Sequence, residues 1–293
     1  MNRTRVQLGG FAFVAPFLFF YLFILIYPLG LGIALSLRRV DLFGGGTFVG
    51  FGNYARLLSD PTFIQSLLNT FTVALMIVPA LTVITLLLAL ALNRQARDAT
   101  IFRGIFFSSS VLSVTIVTLI FRFVLAPDAG LLGEAAEALG REPLPFLSHP
   151  DLTLPALAIT TIWWSIGLPM MLFLAGLQQI PEDVYEAAAL DRASRWTTFR
   201  RVTLPALRRT VILVVMLQTA AQLQLFGQAQ LLTAGGPSGA SRTVVLFIFE
   251  VAFGRWELGY GTAAAEILFM LILALTLLQY WATGRAKEAE GGR

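Results

Sequence analysis

Six stretches of this chain stay apolar for roughly the 20 residues an α-helix needs to cross hydrocarbon. They are residues 10–37, 67–92, 104–125, 154–177, 211–232 and 262–281. Four carry no charge, the third holds Arg122, and the sixth holds Glu266 as its single carboxylate. A bilayer offers no water to unpaired backbone groups, so segments of this kind cross as helices. The fold class expected is all-α, a polytopic membrane protein with six transmembrane helices. Composition agrees: 13% of residues are charged, about half the share in a soluble domain.

Orientation follows from the loops. With the N-terminus in the cytoplasm, 14 of the 21 basic residues lie inside, including Arg3, Arg5, the run from Arg192 to Arg209, and Lys287. Six lie outside (Arg38, Arg39, Arg56, Arg141, Arg242 and Arg255), and Arg122 sits near the end of a span. The positive-inside rule therefore places both termini in the cytoplasm, although Arg38 and Arg39 abut the outer end of the first helix. That helix exceeds a signal-peptide core and no A-x-A site follows it, so it is read as retained. The segment 128–151 is acidic and Pro-rich, as suits an outside loop. Basicity placed in loops argues for membrane orientation and against nucleic acid as a partner.

The chain has no cysteine, one histidine (His149) and one lysine (Lys287). No multi-His or Cys-ligated metal site is available, no cofactor is implied, and no GxxxxGK[ST] phosphate loop exists. Any ATP used is bound by another subunit. A membrane enzyme is disfavoured, since the spans lack clustered Asp, Glu, His or Cys. His149, beside Pro150, reads as a solvated loop residue.

The segment 180–209 is long and charged, yet patterned as two short helices. Pro181 suits a first helical position, and Glu182 and Asp183 favour a helix's positive end. Ser194 suits an N-cap, and Pro205 ends the second helix. Between them, Ala187, Ala188 and Ala189 would let a helix lie close to another protein surface, with Glu186 as an acceptor. An ordinary interfacial helix fits the same residues.

The run Tyr185-Glu186-Ala187-Ala188-Ala189-Leu190-Asp191-Arg192-Ala193, followed by Phe199 and Leu204-Pro205, resembles the EAA loop of ABC importer permeases. Further elements resemble the maltose-type carbohydrate branch: Phe48-Val49-Gly50-Phe51-Gly52-Asn53-Tyr54, Asn69-Thr70, Arg122 with Pro127 and Gly130, Thr233-Ala234-Gly235-Gly236-Pro237, and Gly259-Tyr260 through Ala265. The resemblance implies a type 1 importer permease fold in the cytoplasmic (inner) membrane of a bacterium or archaeon. It divides the chain into residues 1–62 (tail, first helix, first external loop), a permease core at 63–281, and a tail at 282–293. It also implies a second permease subunit, two ATP-binding subunits, an external binding protein and membrane lipid as partners. Carried over residue by residue, Glu186, Ala187, Ala188, Asp191, Leu204 and Pro205 would contact the ATPase. The family glycine after the aspartate is Arg192 here, so either the loop turns differently or Arg192 carries strain.

Polar groups at membrane depth cost several kcal/mol unless partnered. In the fifth span Gln218 and Gln222 share a face, while Gln224 and Gln228 point roughly 200° away. Gln218, Gln222 and Gln228, with Trp163 or Trp164 to stack on a sugar face, are candidate path residues; interhelical packing is the competing role. Glu266 and Arg122 form a candidate ion pair. The same two residues would serve an ion-coupled secondary transporter, the alternative reading. Pro16, Pro28, Pro79 and Pro169 predict kinks within the spans.

Overall fold

The computed structural model describes residues 13–40 and 46–288, with side chains placed up to residue 282. Arg3, Arg5, Lys287 and Arg293, and the start of the first apolar stretch, fall outside the described residues or side chains. The described chain is helical apart from a two-stranded hairpin, β1 (Arg38–Arg39) and β2 (Thr47–Phe48), in which Arg38 faces Phe48 and Arg39 faces Thr47.

Three helices are long and apolar enough to cross a membrane alone: α1 (Phe13–Ser36), α3 (Pro61–Leu92) and α14 (Leu258–Glu288, apolar as far as Ala282). Between α1 and α3 lies the short α2 (Gly52–Ser59). The other expected spans are not single helices. The third breaks into α4 (Arg97–Ser109) and α5 (Val114–Val124), bent by 97°; the fourth into α7 (Pro150–Ser165) and α8 (Gly167–Gln178), bent by 49°. The fifth is entered through α10 (Arg195–Ala206), turns by 63° into α11 (Arg208–Leu223), and ends at Gln224, nine residues before the π-helical α12 (Ala229–Thr233) finishes. The loop 128–151 contains α6 (Leu131–Ala138), and His149 is the N-cap of α7, its Nδ1 accepting from the Asp151 N–H at 3.3 Å. An apolar helix not expected from the sequence, α13 (Val244–Gly254), precedes α14.

Serines explain the largest bend. Ser113 caps α5 through its Oγ, which accepts from Ile116 N–H, and Ser109 returns its hydroxyl to the Phe106 carbonyl. Side chains that satisfy backbone groups locally let a helix end inside an apolar run. Prolines act less simply. Where Pro28 and Pro205 would clash with the preceding turn, a π-helical turn precedes each: Tyr27 N–H reaches Leu22 O, and Leu204 N–H reaches Phe199 O. The helix expected to stop at Pro205 therefore continues to Ala206. The wider turn makes room for the ring.

The described residues pack as two units. One comprises residues up to Ile64 with Phe247–Met270. Here Asn53 donates to the carbonyls of Ser36 and Arg38 at 2.8 and 2.9 Å, and Tyr54 hydroxyl meets Ser36 Oγ at 2.7 Å. The Asn-Tyr pair thus closes the open end of α1, whose last carbonyls lack intrahelical partners. Asp60 accepts from Tyr260 hydroxyl at 2.8 Å and from Thr62 N–H. Burial pushes its pKa up, but these hydrogen bonds outweigh burial and hold it below the usual carboxylate value. Stability from Asp60 is therefore present above its ordinary pKa and is lost as pH falls through the lowered one.

The second unit comprises Gln65–Leu246 with the chain from Leu271 onward. Its core joins Ile77 and Leu81 of α3, Val117 of α5, Leu157 of α7, Met170 and Phe173 of α8, and Val214 of α11. Asn69 is buried and donates to the carbonyls of Gly239 (2.8 Å) and Arg242 (3.1 Å), while its own carbonyl accepts from Gln65. Thr70 Oγ1 accepts from Val244 N–H at 2.9 Å. Asn69-Thr70 therefore clasps the irregular loop 234–243 onto α3. Asn69→Leu strands two buried carbonyls, at about 1–3 kcal/mol each; a thermal midpoint in detergent that falls by several degrees is the expected result.

Candidate functional site

Two regions carry the features singled out in the sequence. The first is the segment Glu182–Ala206. Pro181 is the residue before α9 (Glu182–Leu190) rather than its first helical position. Ser194 does cap α10, its Oγ accepting from Thr197 N–H at 3.2 Å. Arg192 adopts φ +54°, with Ala193 N–H bonded to Ala188 O and Arg192 N–H to Ala189 O, both at 3.0 Å. This is a Schellman closure with arginine in the left-handed position that favours glycine, at a cost of about 1–2 kcal/mol. The strained alternative is the one realised.

Helix α9 buries none of its residues; Glu186 and Ala187 are exposed and Ala188 half-buried. Leu190 is 85% exposed and Trp196 68%. A cavity of about 360 Å³ lies behind it, lined by Leu90, Asn93, Leu177, Tyr185 and Phe199, and Tyr185 hydroxyl meets Thr203 Oγ1 at 3.2 Å. Glu186, Ala187 and Ala188 thus lie on one helix with no buried residue, and Asp191 is its C-cap. Leu204 and Pro205 lie beyond the π turn, both exposed.

The second region is where broken helices meet inside the larger unit. Ser110, between α4 and α5, donates to Trp164 O at 3.2 Å and accepts from Gly167 N–H at 3.1 Å, across the break between α7 and α8. Trp164 in turn donates its indole N–H to Leu112 O at 3.0 Å. A Cβ at Gly167 would lie 2.5 Å from Ser110 Oγ and 2.9 Å from Phe107 Cα, so glycine is needed for the approach. Past the third break, Gly227 packs against Val114 at the start of α5. Sequence periodicity missed this junction; the serine cluster 108–113 was its visible sign.

Gln218, Gln222 and Gln228 are buried, Gln224 is exposed, and the chain turns between Gln224 and Gln228. Gln222 Nε2 donates to Gln218 Oε1 at 3.0 Å, while Gln222 Oε1 is buried with no hydrogen-bond partner among the described residues. Glu266 is also buried and faces Gly32 of α1, where an added Cβ would meet its carboxylate at 3.0 Å. Among the described residues of its own unit it forms no ion pair; Arg122 belongs to the other unit.

Residues 46–287 match the family described as "Binding-protein-dependent transport system inner membrane component". The chain belongs to this family. It is 31% identical over 292 residues to the probable ABC transporter permease protein YurN of Bacillus subtilis (strain 168), covering 97% of this chain and 99% of that one. It is equally 31% identical, over 280 residues, to the trehalose/maltose transport system permease protein MalF of Thermococcus litoralis, covering 95% and 94%. A chain in the crystal structure of a bacterial alginate ABC transporter, in complex with an alginate pentasaccharide-bound periplasmic protein, superposes with a TM-score of 0.85. It covers 96% of both chains at 21% identity. The fold is that of an ABC importer permease, as the resemblance implied, and the chain is a membrane transport subunit.

Proposed function

We propose that this permease forms half of the translocation path of an ATP-driven, binding-protein-dependent carbohydrate importer in the inner membrane, with both termini in the cytoplasm. The observation that carries the reading is α9, most of whose residues are exposed and none buried. A helix presenting Glu186, Ala187 and Leu190 outward is built to dock, since exposed apolar surface rimmed by charge marks a partner site. The ATPase subunits take that position, contacting Glu186, Ala187, Ala188 and Asp191, with Leu204 and Pro205 at the following bend. ATP binding then favours one of two arrangements of the broken spans, a population shift rather than a push. Carbohydrate as cargo is supported by the names of the trehalose/maltose relative and the alginate transporter.

Gln222 is assigned to the path. Its free, buried carbonyl oxygen suits a sugar hydroxyl donor, and Gln218 fixes its amide. Trp164 is held by its indole N–H and offers a ring of fixed orientation in the same unit, while Gln228 lies past the end of α11. Gln222→Leu is expected to raise the transport KM roughly tenfold, the scale of one hydrogen bond, with assembly unchanged. Lower assembly at an unchanged KM would assign the glutamines to helix packing instead.

The whole reading is tested by purifying the tagged chain from its native membranes in mild detergent. Recovery with an ATPase and a second permease, and ATP-dependent uptake of a labelled saccharide after reconstitution, are expected. A chain recovered alone, whose uptake follows an ion gradient without ATP, would overturn it in favour of a secondary transporter using Glu266 and Arg122.

A further inference from the structure

Three of the six basic residues assigned to the outside, far apart in sequence, converge on one cavity. Arg39 of β1, Arg56 of α2 and Arg255 before α14 line a space of about 490 Å³ together with Trp256, Glu257 and Tyr260. Arg56 is already committed: it pairs with both Glu257 carboxylate oxygens and lies 4.0 Å over the Tyr260 ring. The hydrogen bond that Arg56 donates to Glu257 raises the Arg56 pKa against the opposing effect of burial, so the guanidinium stays charged. Arg39 and Arg255 are exposed and have no carboxylate partner among the described residues. Val40 and Val49 supply apolar wall. The cavity is therefore concave, net cationic and partly greasy.

Its level in the fold is equally informative. Arg39 lies three residues past Ser36, the end of the α1 span, and Arg255 three residues before Leu258, where the α14 span begins. The cavity thus sits where hydrocarbon gives way to headgroups, the level at which Trp and Tyr gather. Below it, α1 buries none of the most apolar part of its length, leaving Phe23, Ile24, Leu31 and Ile33 uncovered. A cationic recess just beyond the end of an uncovered apolar helix has the two parts of a phospholipid site.

We propose that this cavity binds the headgroup phosphate of an anionic phospholipid, with the acyl chains along α1. Guanidinium groups match phosphate oxygens in a planar, bidentate manner. Glu257 is consumed by Arg56, so among the described lining residues no free carboxylate remains to receive the ammonium of a zwitterionic headgroup; phosphatidylglycerol is favoured over phosphatidylethanolamine. The outward placement of this end rests on the topology proposed above, but lipid binding in micelles is read independently of orientation and of transport.

The test is native mass spectrometry of the full chain, with the subunits that copurify, titrated with each of the two lipids. Wild type is expected to retain phosphatidylglycerol preferentially. Arg39→Gln with Arg255→Gln is expected to weaken retention about 30-fold, the scale of losing two interfacial guanidiniums. Arg39→Lys with Arg255→Lys should keep most of it, and Arg141→Gln, outside the cavity, all of it. Thermal midpoints establish folding, and each single Gln variant is read separately should the double variant not assemble. Unchanged retention in the Gln variants would overturn the proposal. So would displacement of the lipid by millimolar inorganic phosphate, the mark of a soluble-anion site, or a loss of external binding protein without loss of lipid, the mark of a docking site.

Discussion

Glu186→Lys is expected to strip the ATPase subunits from the purified permease while leaving the chain folded. The residue is exposed on α9 and makes no hydrogen bond or ion pair among the described residues, so the substitution removes nothing from the permease itself. Charge reversal at a docked interface replaces attraction with repulsion, and roughly 100-fold weaker association follows. The measurement is pull-down of the tagged permease with quantitative mass spectrometry, beside ATP-driven uptake. The second permease should still be recovered and the ATPase lost. Full ATPase recovery with normal uptake would move the docking surface elsewhere, Leu190 and Trp196 being the next residues to probe.

Gly259→Val is expected to prevent accumulation of folded protein. A Cβ at this position would sit 1.9 Å from the Arg38 carbonyl oxygen and 3.0 Å from that of Leu35. Both are backbone atoms, held in part by the Asn53 amide that binds the Arg38 carbonyl, so no rotamer change relieves the overlap. Destabilisation of at least about 3 kcal/mol, the upper end of overpacking, is the expected cost. Gly30→Ala is the matched control: nothing lies within 4 Å of its added Cβ, and in a helix alanine is favoured by about 1 kcal/mol. The yield of monodisperse protein in detergent is the measurement: Gly259→Val should give little or none, and Gly30→Ala a wild-type yield with an equal or higher thermal midpoint. A wild-type yield of folded Gly259→Val would mean that α14 does not approach the end of α1 as described.

The apolar stretches were legible because hydrocarbon imposes a length, and α1, α3 and α14 follow that rule directly. The pattern of 180–209 was legible as two short helices, and the structure gives it those helices and the Ser194 cap. What escaped was continuity. Hydropathy averages over a window, so it passes through Ser108 to Ser113 and through Gln224 to Phe226 without registering that hydroxyl and amide groups there satisfy backbone atoms locally. Proline misled in the opposite direction. Pro205 reads as a stop, yet one wider turn upstream admits it, and such a turn leaves no periodic trace. The left-handed Arg192 was foreseeable only as one of two outcomes, because backbone dihedrals at a single position depend on whether the rest of the helix end repays the strain.

The Ser110 hydroxyl has a mechanical meaning beyond its two hydrogen bonds. By donating to Trp164 O and accepting from Gly167 N–H, it is pinned to both sides of another helix's elbow while marking its own. Two elbows fastened at one hydroxyl flex separately only at the cost of these bonds, about 1 kcal/mol each: opening the α7–α8 angle pulls donor from acceptor unless the α4–α5 angle follows. The two angles are therefore coupled, so a condition that favours one setting of the first favours the matching setting of the second.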